Sequence, residues 1–173
     1  ILDLATIDAG AMALERDIVD LKSVVERCHS DLAAQFEERG LKLEMNIGLE
    51  AAEFEADEHR MYQIVHNLLN NAASFSPDGG CVRVDAVREQ DWIEFSVADQ
   101  GPGVPDEIRD TIFDRFEGRN TGGRRKGTGL GLSIVKSFVE LHDGTVHVEA
   151  AGERGARFVC RIPVSSKKAR QAA

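Results

Sequence analysis

The sequence predicts an α/β fold, a two-layer sandwich in which a mixed β-sheet carries its helices on one face. Short segments with apolar residues at every second position recur along the chain, as in Leu41-Leu43-Met45-Ile47 and Ile93-Phe95-Val97. Longer segments repeat apolar residues at helical spacing. The two kinds are interleaved rather than segregated, and no internal repeat is present.

Ile1 to Ile7 has helical spacing and reads as a helix end closed near Gly10. Met12 and Leu14 alternate as a short strand. Ile18 to Glu38 reads as one helix, with Leu21, Val24, Val25, Cys28, Leu32 and Phe36 on one face and Gly40 ending it. Leu41 to Ile47 is a strand. Asp57 is placed to cap a helix that turns Met61, Ile64, Val65, Leu68, Leu69 and Ala72 inward. Pro77-Asp78-Gly79-Gly80 is a turn. Val82, Val84 and Val87, then Ile93, Phe95 and Val97, make two strands joined near Glu89–Asp91. Residues 100–127 form a long glycine-rich loop, a kind that is usually functional or disordered. A helix is expected from about Thr128 to Leu141, ended by His142-Asp143-Gly144. Val146 and Val148, with Phe158, Cys160 and Ile162, close the sheet as a hairpin. The tail, residues 165–173, reads as disordered.

A length of 173 residues fits one domain with at most a short appendage. Formal charge is 21 − 30 = −9, which excludes a general nucleic-acid binder because such a protein needs a basic face. Any phosphate-binding charge is therefore local, and Arg124-Arg125-Lys126 is the compact basic run beside a glycine motif. Cys28, Cys81 and Cys160 are too scattered for a disulfide framework or metal cluster and read as reduced thiols. No run approaches membrane-spanning length. The chain opens without methionine inside a helix-like pattern, so the expectation is a cytoplasmic piece of a larger protein, with any membrane contact supplied by other segments. His29, His59, His66, His142 and His147 lie in ordinary contexts and read as structural.

Three motifs carry chemistry. Asn67 and Asn71 stand four apart, so both project from one helix face, extended by Gln63 and Ser74. Asparagine is a poor helix former, and three of them mid-helix, with Asn70, need a reason. Magnesium takes oxygen ligands and shares them with phosphates, and an amide oxygen serves without adding negative charge. A solvated polar face is the alternative. Asp99 ends a strand and is followed by Gly101 and Gly103. Its carboxylate can accept from the exocyclic amine of adenine, and glycines allow close approach of the backbone; a plain strand-ending turn is the alternative. Gly127-Thr128-Gly129-Leu130-Gly131 opens an apolar helix, where exposed amides form an anion site. Neither a Rossmann fingerprint nor a P-loop fits the surrounding residues. In the intervening loop, Phe113 and Phe116 need an apolar seat, either as anchors on the core or as parts of a mobile lid.

The ordered motifs resemble the catalytic ATP-binding domain of sensor histidine kinases, within the wider GHKL class of gyrase, the HSP90 chaperone and MutL. His66 to Ala72 is similar to the N box, Asp99 to Gly103 to the first glycine box, Phe113 to Phe116 to the F box, and Gly127 to Gly131 to the second glycine box. The resemblance implies a Bergerat-type fold over residues 11–164, with a lid at about 103–127 and residues 1–10 as the end of an upstream dimerisation and phosphotransfer helix. It implies ATP and Mg2+ as cofactors, with Asn71 holding the metal, Asn67 supporting the phosphates and Asp99 reading adenine. Phe75, Gly101, Gly103, Arg124, Arg125, Lys126, Gly127, Thr128, Gly129, Leu130 and Gly131 complete the implied nucleotide site. It implies a protein-histidine kinase whose acceptor lies upstream, homodimeric at full length, serving a response-regulator receiver domain. Hydrolytic members carry a glutamate where this chain has Asn67, which favours phosphoryl transfer over hydrolysis.

One position departs from the pattern. Where the family usually has a basic residue three positions after the magnesium asparagine, this chain has Ser74. That loss should weaken ATP binding or slow transfer, and Arg124, Arg125 or Lys126 are placed to compensate. Ser74, the Asp99 motif and Ser137 to His142 are similar to DivL-type cell-cycle regulators, in which tyrosine replaces the acceptor histidine. The alternative function is accordingly a non-catalytic module of the same fold that binds a response regulator and modulates a partner kinase.

Overall fold

A computed structural model of the chain describes residues 13–114 and 130–165. The expected helix end over residues 1–10, most of the second glycine box and the tail from residue 166 lie outside the described residues, as do Phe116, Arg124, Arg125 and Lys126.

Five strands form the main sheet: β2 (Lys42–Ile47), β4 (Cys81–Glu89), β5 (Trp92–Ala98), β6 (Thr145–Ala150) and β7 (Ala156–Pro163). Their order is β2-β4-β5-β7-β6, with β2 parallel to β4 and every other pair antiparallel, so the sheet is mixed as expected. Three helices cover one face: α1 (Leu21–Asp31), α4 (Glu58–Phe75) and α5 (Gly131–Leu141). Alternation along the strands sends Val82, Val84 and Ala86, Ile93, Phe95 and Val97, and Phe158, Cys160 and Ile162 into the core. The helices answer with Leu21, Val24, Val25 and Cys28, with Met61, Ile64, Leu68 and Leu69, and with Val135, Phe138 and Val139. No helix among the described residues is long and apolar enough to cross a membrane.

The first segment corrects the sequence reading. Ile18 belongs not to a helix but to β1 (Asp17–Asp20), an antiparallel partner of β3 (Glu53–Ala56). The expected strand at Met12–Leu14 is therefore displaced: Met12 lies outside the described residues, and Leu14 is not in a strand. Asp20 sets the boundary, because its Oδ1 accepts the N–H groups of Lys22 and Ser23 and starts α1 there. The apolar stripe is right, but it is carried by two helices. At Leu32 the chain turns tightly, its N–H shared between the Cys28 and His29 carbonyls, before α2 (Ala33–Glu38). The bend keeps both Leu32 and Phe36 buried. The short helix α3 (Leu49–Ala52) and β3 have no counterpart in the sequence reading.

Elsewhere the local signals act as read. Gly40 leaves α2 with φ +61°. Asp57 caps α4 by accepting the Arg60 N–H at 3.0 Å. Ser76 is extended in front of Pro77, which stops the helix. Val87 is the exception: Val84 and Ala86 point inward, so Val87 points out and is half exposed. The described part of the last helix begins at Gly131, three residues after Thr128.

Candidate functional site

Asp99 follows β5 directly, and its main chain still pairs with the start of β7 through its N–H to the Ala156 carbonyl, 2.9 Å. Its side chain is buried at 4% exposure. Oδ1 accepts two backbone N–H groups, from Gly101 at 2.8 Å and Ala156 at 3.2 Å. No described group donates to Oδ2, which keeps a free acceptor on a rigidly held carboxylate. Burial pushes the Asp99 carboxyl above the usual carboxylate range, and the two backbone donors pull it back.

Glycines permit this packing. A Cβ on Gly101 would stand 2.6 Å from the Phe75 carbonyl oxygen, so the turn after Asp99 lies directly against the end of α4. Gly155, with φ +98°, lies closer still: a Cβ there would sit 1.9 Å from the Asp99 carbonyl oxygen. Gly155 was not among the sequence candidates. The Gly152–Gly155 stretch reads as a hairpin turn, and nothing in its spacing shows that it meets Asp99.

Asp99 lines a cavity of about 300 Å³ together with Asn71, Phe75, Gly103 and Leu132. Its walls are mainly apolar, including Val104, Ile108, Ile112 and Phe158. Phe113 stands behind one wall at 5% exposure, edge-on to the Phe158 ring at 6.1 Å. Of the two seats weighed for the loop aromatics, Phe113 takes the core one. Lys136 of α5 lies 3.9 Å from Asp114 at the end of the same loop segment.

Asn67 and Asn71 project from one face of α4, as their spacing requires. Asn67 Nδ2 donates to the Gln63 carbonyl at 2.8 Å. Asn67 Oδ1 would lie 3.2 Å from a Cβ on Gly131, which places the first turn of α5 against this amide. Leu130, the residue before that turn, makes no side-chain cap, so among the described residues no side chain caps the leading N–H groups of α5. Ser74 is engaged locally: its Oγ donates to the Asn70 carbonyl at 2.7 Å and accepts from Gln35 Nε2 at 3.3 Å. Of the candidate residues that are described, Asn71, Phe75, Asp99 and Gly103 line one cavity, Gly101 packs on the Phe75 carbonyl, and Gly131 meets Asn67 at the α4–α5 contact, with Leu130 just before the helix.

The family model described as histidine kinase-, DNA gyrase B- and HSP90-like ATPase matches residues 56–166, a stretch that holds all of these groups. The chain belongs to this ATPase family. Among similar proteins are the sensor histidine kinase TmoS of Ectopseudomonas mendocina, 37% identical over 96% of this chain and 17% of that protein, and the sensor protein DivL of Caulobacter vibrioides, 38% identical over 94% of this chain and 21% of that protein. The chain thus spans about a fifth of the length of these relatives. Among solved structures, full-length ShkA in complex with AMPPNP superposes with a TM-score of 0.82 at 29% identity, covering 95% of this chain and 34% of that one. The mycobacterial sensor histidine kinase MprB gives 0.74 at 28% identity, covering 86% and 97%. The mixed sheet with its helical layer is the fold of histidine kinase catalytic domains in this ATPase family.

Proposed function

We propose that this chain is the ATP-binding catalytic domain of a two-component sensor kinase, which supports transfer of the γ-phosphoryl group of ATP to an acceptor on an adjacent helical domain. The observation that carries the reading is convergence: Asp99 and Asn71 line one cavity, and Asn67 joins that wall to the start of α5. The residues fit the nucleotide. A buried carboxylate with one uncommitted oxygen suits the exocyclic amine of adenine and disfavours guanine, which presents an acceptor there. The glycine-only approach at Gly101 lets the turn after Asp99 pack on the end of α4, and apolar walls suit a purine face. Uncapped amides at the start of α5 suit phosphate oxygens. Magnesium, when bound, neutralises phosphate charge as the phosphoryl group leaves. Asn71 is the amide that would hold it, and Asn67 steadies Gly131 beside it.

The remaining parts of the reading follow from the family. Residues 1–10 would end the upstream dimerisation helix, the domain would occupy 11–164 with its lid at 103–127, and 165–173 would be a tail. Arg124, Arg125, Lys126, Gly127, Thr128 and Gly129 would meet the phosphates. The full-length protein would be a cytoplasmic homodimer, at least in this portion, serving a receiver domain. A regulatory module of the same fold is the second reading, favoured by Ser74, which stands where a basic residue is usual and whose hydroxyl is tied to Asn70 and Gln35. Titration with Mg-ATP tests nucleotide binding: saturable heat is expected, and none would overturn the catalytic reading and leave the regulatory module. Joining the chain to an upstream helical domain and supplying radiolabelled ATP then separates them. A labelled acceptor is expected, whereas intact ATP binding without label would favour the regulatory module.

A further inference from the structure

Arg39 follows α2 and sends its guanidinium across to the last turn of α4. Its side chain is 13% exposed. Nη1 donates to the Ala73 and Ser74 carbonyls, Nη2 to the Ser76 carbonyl, and Nε to Asp78 Oδ1 at 2.9 Å. The main-chain carbonyl of Arg39 accepts the Gly79 N–H at 2.8 Å, so the turn after α4 is held from the same residue. The closing carbonyls of a helix lack intrahelical partners, and a planar fork can take several of them at once. The residue caught between these contacts is Phe75. Phe75 lines the cavity, and its carbonyl oxygen is the atom against which Gly101 packs. Gly101 in turn donates to Asp99 Oδ1. A continuous set of contacts therefore runs from Arg39, through the Phe75 peptide and Gly101, to the carboxylate.

We propose that Arg39 is a positioning residue for base recognition: by fixing the Phe75 peptide it sets the separation between the Phe75 wall and the Asp99 carboxylate, and so the discrimination between adenine and guanine nucleotides. The proposal rests on the reading of the cavity as an ATP site. A cap that only stabilised α4 would scale binding of both nucleotides together, whereas a positioning residue changes their ratio.

The test compares Kd values for Mg-ATP and Mg-GTP by calorimetry in the unmodified chain, Arg39→Met, Arg39→Lys and Asp78→Asn. Arg39→Met is expected to weaken ATP at least tenfold and to reduce the ATP-over-GTP preference by a similar factor. Arg39→Lys keeps the charge without the fork and is expected to lose part of the preference; it carries the test if the methionine variant does not fold. Asp78→Asn, at an exposed partner, is expected to keep the preference. ATP binding by the unmodified chain with an unchanged preference in the folded Arg39 variants would overturn this proposal alone. Equal losses for ATP and GTP would overturn it too, and no ATP binding by the unmodified chain would overturn it together with the reading beneath it.

Discussion

The backbone N–H of Asp57 donates to Nε2 of His142 at 3.1 Å in the buried interior. The other ring nitrogen contacts the Phe138 carbonyl at 2.7 Å, so the neutral ring carries its proton on Nδ1. This bond ties the first residue of the α4 cap to the end of α5, while Asn67 and Gly131 meet nearer the other end of the pair. The same Asp57 accepts the Glu15 N–H at 3.0 Å, and Arg16 approaches Asp143 at 4.0 Å. Burial lowers the His142 pKa; the Phe138 carbonyl opposes this, Arg16 adds to it, and Asp57 and Asp143 oppose it. Below about pH 6.5 the unfolded chain takes up a proton that the folded chain resists. Stability should therefore be full above that pH and fall progressively on acidification. Urea unfolding between pH 5 and pH 8 should show this slope, and His142→Gln should flatten it; an unchanged slope in the variant would assign it to other groups.

Asp99→Asn should retain the fold and weaken Mg-ATP binding by about a hundredfold, since the amide oxygen stays on the Gly101 and Ala156 N–H groups and the NH2 donor then faces the donor amine of adenine. Because burial raises the pKa of Asp99, ATP affinity should fall with acidification at a higher pH than an exposed aspartate would produce. Calorimetry from pH 4.5 to pH 7.5 reads both effects. Binding unchanged by the substitution would remove Asp99 from base recognition.

Gly155→Ala should cost about 3 kcal/mol or more of folding stability, because the added methyl meets the Asp99 carbonyl at a left-handed backbone position. Gly152→Ala is the informative contrast. It shares a positive φ, +73°, but has open space around its Cβ position, so only the smaller backbone cost is expected. Denaturant midpoints for the two variants separate crowding from conformation, and equal losses would dismiss the contact with Asp99.

Ser74→Lys should tighten Mg-ATP severalfold by adding a cation to the asparagine face of α4. The replaced hydroxyl bridges Asn70 and Gln35, so a stability loss of about 1 kcal/mol should accompany the gain. Parallel calorimetry and urea melts check both. Affinity left at the starting value would show that a side chain at this position does not reach the phosphates.

Much of this architecture was legible because it rests on local rules. Alternation gave β2, β4, β5 and β7, Asp57 marked the start of α4, and the Asn67–Asn71 spacing gave one face. The errors share a physical cause. Ile18 stands three residues before Leu21 and fits the apolar rhythm of the following helix, and only the Asp20 cap and pairing with β3 make it part of a strand. Val87 has a strand residue's preference but the wrong parity for the core. Gly155 and Arg39 act through partners distant in sequence, on Asp99 and on the end of α4, and such encounters leave no periodic trace.

The contact between Gly155 and Asp99 also orders events during synthesis. The carboxylate borrows its second backbone donor from Ala156, at the head of β7, the last of the five sheet strands in chain order. Until β7 docks, a nascent chain displays the earlier motifs without a formed base-recognition pocket. A product truncated before Gly155 would lack the contacts that hold the Asp99 carboxylate, which confines the proposed nucleotide site to chains translated as far as β7.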